Sequence, residues 1–305
     1  MTTKSAVKVT DEEYNGIMKS LNYNKEELEL SVQSIREWLK KEPHLPDAED
    51  DKILLAMLML SKCSIEQTKK KLDAYYSFKN MLPELYTNGE PLNPTMQKTM
   101  SENIFLPFPK LTENYSRVIL IKTESDAQSI SYIDCLRYAI IGLELCLKHD
   151  YACHNDVIID MSGITAGHLK TMPIPLIIKC VKYISNVFPN SVKGFHCLNA
   201  PAFMQSIIQL IKSALKNKLA ERVYIHNDLE SLHKYVPKNV LAQEYGGTAG
   251  SLADIYGEWR QFVESNNDWV KVRQDIKSNE NLRIGTTDYS NIYGVEGSFR
   301  QLTVD

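Results

Sequence analysis

Residues 194–226 read GFHCLNAPAFMQSIIQLIKSALKNKLAERVYIH, a short β-rich run, a helical length and a second β-rich run. Gly194 to Leu198 and Val223 to His226 are dense in branched, aromatic and other apolar side chains, which suit a pleated, half-buried surface. Between them Asn199 is placed to cap a helix and Pro201 suits a first turn. Two apolar rows then run from Ala202 to Leu215 at helical spacing: Phe203, Ile207, Leu210 and Ala214 beside Met204, Ile208, Ile211 and Leu215. Strand, helix and strand in this order predict a crossover unit of a parallel sheet. The broad apolar face, followed at once by Lys216, Lys218 and Arg222, suits either a core helix with a solvated end or an element that touches a membrane interface.

The same alternation extends upstream. Candidate strands at Val118 to Ile121 and Val157 to Asp160 are separated by helical lengths near Ser131 to Lys148 and Ile174 to Val187. The first of those helices is apolar nearly all round, so it must be covered on every side, by protein alone or partly by a bound apolar molecule. Further upstream the first 95 residues are helical in texture. Leu28, Val32, Ile35 and Leu39 fall at spacings of three and four, Pro43-His44-Leu45-Pro46 ends that helix, and Asp50-Asp51 opens the apolar run from Ile53 to Leu60. Pro83, Gly89, Pro91 and Pro94 mark a turn-rich crossing. The expectation is an α/β protein: a small N-terminal helical bundle over residues 1–95, an α/β/α domain with a mainly parallel sheet over 96–250, and a C-terminal tail over 251–305. That tail reads as helical to about residue 280 and irregular through Gly297-Ser298-Phe299-Arg300-Gln301-Leu302.

The chain has 305 residues with 38 acids and 35 bases, and a net charge of −3 argues against bulk nucleic-acid binding. Its charge is unevenly spread. From Met161 to Ala220 there are seven lysines and no Asp or Glu, which predicts a positive surface on the middle domain. The longest uninterrupted apolar stretch, Ile53 to Leu60, is far short of the about 20 residues that span a bilayer. The opening residues Met1-Thr2-Thr3-Lys4-Ser5 lack the apolar core of a secretory signal, and no CxxC joins any of the six cysteines. A cytoplasmic protein with reduced thiols is expected.

Three constellations invite chemistry. Gly246-Gly247-Thr248-Ala249-Gly250 has neither a GK[ST] ending nor a GxGxxG spacing, so it reads as a turn and not as a phosphate cradle. Asp160, Ser162 and His168 lie close in sequence but lack the G-x-S-x-G elbow of a hydrolase serine. Cys146, His149, Cys153 and His154 are of zinc-ligand type, yet Cys146 belongs to an apolar helix and no second knuckle sets a geometry. No catalytic residue, metal or cofactor is expected.

Several pieces in order give a resemblance. Pro43-His44-Leu45-Pro46, Phe188-Pro189 followed by Val192-Lys193-Gly194, Leu198-Asn199-Ala200-Pro201, Val223-Tyr224-Ile225-His226 and Glu244-Tyr245-Gly246-Gly247 together resemble the CRAL-TRIO lipid-binding family. The similarity runs over nearly the whole chain and is greatest to the branch of the α-tocopherol transfer protein and cellular retinaldehyde-binding protein. It implies a sheet that floors a closed apolar pocket, with Ala202 to Leu215 as a mobile lid. The implied ligand-binding positions before residue 180 are Leu136, Ala139, Ile140, Leu143, Ile159, Ile164 and Met172. From 180 onward they are Cys180, Tyr183, Ile184, Phe188, Val192, Phe195, Ile211 and Leu215. Basic residues of the tocopherol carrier's phosphoinositide site fall on Lys193, Lys218 and Arg222, with Ser191 at a fourth basic position and Lys212 and Lys216 nearby. Two pocket serines of that carrier correspond to Ala139 and Leu143, which points away from tocopherol itself. The resemblance thus implies an intracellular carrier of a small hydrophobic, isoprenoid-like ligand such as a retinoid, carotenoid or tocopherol-like molecule. Its partners would be that ligand and, peripherally, anionic membranes, with phosphoinositides as the finer expectation. The alternative is a lipid-sensing signalling or scaffolding module without net transport.

Overall fold

The N-terminal helices form where local signals agree. α1 (Asp11–Leu21) and α2 (Lys25–Leu39) each begin with a reciprocal capping box, Thr10 with Glu13 and Asn24 with Glu27. α2 buries the periodic set Leu28, Val32, Ile35 and Leu39. α3 (Asp51–Leu60), α4 (Ile65–Met81) and α5 (Pro94–Glu102) complete the leading helical region. This computed structural model describes residues 6–7, 9–46, 49–188 and 191–285, so Pro189 and the Gly297 to Leu302 segment lie outside the described residues.

A five-stranded sheet follows in the order β1 to β5: Asn103–Leu111, Ser116–Thr123, His154–Asp160, Val192–Leu198 and Val223–His226. β2 to β5 are parallel throughout, and β1 pairs antiparallel with β2. The helices between and after the strands are α6 (Tyr132–His149), α7 (Ala166–Thr171), α8 (Ile174–Asn186), α9 (Gln205–Ala214), α10 (Asn217–Ala220) and α11 (Leu229–His233). α12 (Leu252–Ser265) and α13 (Asn267–Asp275) follow them. The mainly parallel sheet agrees with the sequence reading. β1 was not among the candidate strands, because Pro107 and Pro109 interrupt it; the sheet tolerates them at an edge with a register shift between Pro107 and Leu111. Arg117, fully buried on β2, bonds the carbonyls of Phe108 and Pro109 at 2.7 and 2.6 Å and the Asp150 carboxylate through two bonds of 2.8 Å. That fork holds the irregular strand in place.

A second buried ion cluster joins segments distant in sequence. Arg273 of α13 donates to Glu49 at 2.6 Å, to Glu144 of α6 at 2.9 Å and to the Tyr75 hydroxyl at 3.0 Å. Lys79 of α4 donates to the Arg273 carbonyl at 3.0 Å and stands 3.3 Å from Glu144. Two cations and two anions face one another with almost no solvent. Burial pushes the Lys79 amine down to about 8 against the pull of Glu144. Burial also works to raise the Glu144 carboxyl, but Lys79 and Arg273 hold it below its ordinary value. Removing one member leaves its partners charged and dry, which typically costs about 3–5 kcal/mol. Arg273→Met is therefore expected to lower the urea-unfolding free energy by about that amount; a loss below about 1 kcal/mol would show that the cluster does not hold the helical region to the sheet domain.

Candidate functional site

The sheet has two faces set by strand parity. Ile121, Ile159 and Cys197 share one row and Phe195 and Val223 another, all on one face, while Leu120, Ile158, His196 and Tyr224 belong to the opposite face. Above the first face lies a cavity of about 300 Å³, floored by these side chains and walled by α6, α8 and α9. Such a volume is at the lower end of small-molecule sites.

α9 supplies its apolar rows to this roof. Met204, Ile208, Ile211 and Leu215 line the cavity together with Ile207, whereas Leu210 is exposed. Non-helical backbone flanks the Ala202–Ala214 helical segment on both sides. Asn199 takes a left-handed conformation at φ 55°, and its side chain donates to Asp160 at 3.0 Å instead of capping the helix as expected; Leu215 and Lys216 are extended at the other end. Asp160 also accepts from the Ser162 backbone at 3.0 Å and from Tyr245 at 2.8 Å. Burial works to raise its carboxyl, but these donors together hold it below the ordinary range. Asp160 is thus an anchor that ties the ends of β3 and β4 to the segment around Tyr245.

The expected pocket positions divide. Leu136 and Ala139 of α6, Ile159, Ile164, Met172, Phe195, Ile211 and Leu215 surround the cavity. Seven others do not. Ile140 and Leu143 lie farther round α6, buried in the main core, and Ile140 also lines a separate small cleft beside Tyr86 and Arg273. On α8 it is Ile177 and Val181 that face the cavity, while Cys180, Tyr183 and Ile184 turn towards the N-terminal helices. Tyr183 stacks on Phe78 at 3.8 Å and shares a 2.7 Å hydrogen bond with the Tyr86 hydroxyl. Phe188 packs edge-on against Tyr75 and Tyr183, and Val192 is buried at the start of β4 away from the cavity lining. The reason is common to the five on α6 and α8. α6 and α8 are apolar on two faces because each is sandwiched between packed protein and the cavity, and one step of 100° along a helix exchanges one face for the other. Ile177 and Val181 were absent from the expectation, although their spacing of four on one face of α8 carried the signal.

The remaining constellations have structural partners. His168 caps α7, with its Nδ1 at 2.9 Å from the Thr165 hydroxyl and its Nε2 at 3.0 Å from the Ser125 carbonyl, and Ser162 is exposed. His149 packs edge-on against Phe262 at 5.0 Å, and His154 bonds Ser191 at 2.9 Å. Among the described residues no group of three or more His, Cys, Asp or Glu is placed to hold a metal.

The basic cluster lies around the C-terminal end of α9. Lys193, Lys216 and Lys218 are exposed, Lys212 is half-buried on α9, and none of the four joins an ion pair among the described residues. Arg222 is half-buried, with one guanidinium nitrogen 2.5 Å from the Val192 carbonyl, so part of its role is to pin β4. His154 senses this field. Burial first, and then Lys193, push its imidazole down to about 4.

With this geometry in hand, comparison with known proteins is informative. The sequence model of the CRAL/TRIO domain matches residues 102–247, and that of the Pinta-like UBA domain matches residues 24–96. The alpha-tocopherol transfer protein-like protein of Mus musculus is 29% identical over 247 residues, which is 79% of this chain and 71% of that protein. The Homo sapiens protein of the same name is 28% identical over 246 residues, with the same shares. Clavesin-1 of Xenopus laevis is 25% identical over 237 residues, 75% of this chain and 70% of that one.

Neighbouring positions on α6 allow a direct test of the two-faced helix. Ala139→Phe adds bulk to empty space, so stability should stay within about 1 kcal/mol of wild type in urea while binding of an apolar guest weakens at least about tenfold. Ile140→Phe, one residue on, overpacks filled space and should cost about 1–3 kcal/mol. Equal stability loss in both variants would contradict this division of faces.

Proposed function

We propose that the chain, whose residues 102–247 match the CRAL/TRIO domain, carries a small hydrophobic, isoprenoid-like lipid beneath α9 and exchanges it at anionic membranes. The observation that carries the reading is the cavity itself: its wall is almost wholly hydrocarbon, and its roof is one amphipathic helix flanked on both sides by non-helical backbone. A guest that hides on the order of 400 Å² of apolar surface gains roughly 10 kcal/mol at about 25 cal/mol per Å², so escape into water is slow. A bilayer offers an apolar destination without that cost. Among the described residues no helix is long and apolar enough to cross a membrane, so the contact in this reading is peripheral.

Lys193, Lys212, Lys216, Lys218 and Arg222 supply the docking charge, at about 1 kcal/mol for each residue near an anionic leaflet. Docking beside the C-terminal end of α9 draws the helix outward, opens the roof and lets the guest move. The cycle requires binding and release and no bond making, so the protein is a carrier and not an enzyme. Retinoid, carotenoid and tocopherol-like molecules are the cargo classes in view, and phosphoinositides are the finer choice of head group. The cytoplasmic face of membranes is the place of exchange.

Organic extraction of the purified full chain followed by mass spectrometry tests the carrier reading; a stoichiometric apolar lipid is expected, and a pocket empty after isolation from lipid-replete cells would contradict it. The triple variant Lys193→Ala, Lys216→Ala, Lys218→Ala should bind anionic vesicles roughly 100-fold more weakly and transfer guest correspondingly more slowly, with guest affinity unchanged. Equal transfer by variant and wild type would remove the basic cluster from the mechanism.

A further inference from the structure

We infer that the cavity takes a guest whose buried part carries no hydrogen-bonding group: a hydrocarbon, in preference to an alcohol, aldehyde or acid of the same skeleton. This inference rests on the carrier reading and narrows it. It comes from where every polar group on the cavity wall sends its hydrogens.

Thr123 and Asn103 sit on paired strands at one end of the cavity. The Thr123 hydroxyl donates to the Asn103 side-chain oxygen at 2.6 Å. The Asn103 amide in turn donates one hydrogen to the Thr99 carbonyl and the other to the Ser125 hydroxyl, each at 3.0 Å. Both of its donors are therefore used. Two tyrosines reach the wall from α6. Tyr132 donates to the His168 carbonyl at 2.8 Å, and the Tyr138 hydroxyl stands 3.3 Å from the Phe105 carbonyl and 3.2 Å from the Tyr256 hydroxyl.

The two charged residues of the lining, which share the strand parity of Leu120 and Ile158 on the opposite face, are likewise engaged. Lys122 donates to Glu124 at 2.7 Å, and Asp160 accepts from Asn199, Ser162 and Tyr245. The thiols of Cys135 and Cys197 are weak donors, and burial pushes them up to about 12 and about 11, so they present no anion. Among the described residues, none of the buried side-chain polar atoms that lack a partner belongs to a residue of this lining.

A carbonyl or carboxylate is an acceptor and needs a donor from the wall. Every hydroxyl and amide donor of the lining side chains is already directed into the protein, and the thiols are weak donors, so such a group would lose its water and gain little. A hydroxyl fares little better, since it would have to share a tyrosine oxygen already inside a network. A hydrocarbon surrenders no hydrogen bond. Met161, Met172 and Met204 on the wall add flexible, polarisable contacts that adapt to its shape.

A matched series reads this preference: farnesane, its terminal alcohol and its terminal acid, each partitioned between neutral phosphatidylcholine vesicles and the full chain and counted by mass spectrometry. Vesicles as the donor phase remove the difference in water solubility. The expected result is farnesane held at least about fivefold more tightly than either polar partner, since an unpaired buried hydroxyl or carboxyl is penalised on that scale or more. Alcohol or acid held as tightly as the hydrocarbon, or acid binding that disappears in Lys122→Met, would overturn the inference while leaving the carrier reading intact. Failure of all three to bind would overturn both.

Discussion

Two hydrophobic clusters in this protein fail to merge. The larger runs from the N-terminal helices through the sheet to α12 and α13, and the smaller joins Met161 and Cys197 at the end of the floor to Met204 and Ile208 of the roof. The cavity is lined by residues of both. Protein interiors are otherwise packed like organic crystals, so a void of this size forfeits dispersion contacts on all its walls. Met204 and Ile208 pack against Met161 and Cys197, but along α9 only Ile208 is deeply buried, so the rest of its apolar face has less packing than normally holds an amphipathic helix down. In the proposed reading a guest restores those contacts, and the position of the helix then depends on what lies beneath it.

That dependence is useful only if everything else stays fixed. The Arg273, Glu144, Lys79 and Glu49 cluster ties the leading helices, α6 and α13 together, and the Arg117 and Asp150 fork secures the irregular edge strand. Because α6 and α8 present one face to packed protein and the other to the cavity, this frame also sets the shape of the back wall. Buried ion pairs need not add net stability, but they penalise any rearrangement that separates them. The closely packed back wall and the more sparsely packed roof are thus two outcomes of one division of side chains.

The order of strands and crossover helices was legible in the sequence because β2 to β5 are short apolar or β-branched runs separated by full helical lengths. β1 was not, since Pro107 and Pro109 argue against a strand until an edge position and the Arg117 fork are known. Within the candidate site the lid rows were readable, for Met204, Ile208, Ile211 and Leu215 repeat at helical spacing. The inner walls were not. A helix that is apolar on two faces gives no sign of which face meets a void, and Tyr183 or Phe188 satisfies an aromatic core as well as it would line a pocket. Asn199 had the chemistry of a cap, and only the nearby end of β3 shows that Asp160 claims it.

The central claim is that the order of α9 is coupled to the contents of the cavity, and hydrogen exchange of the full chain with and without an apolar guest tests it most directly. The account predicts that amides of residues 205–214 exchange markedly more slowly when the guest is bound, while those of α6 and β3 change little. Protection of α9 that is indifferent to the guest, or that changes only in step with the whole protein, would contradict it.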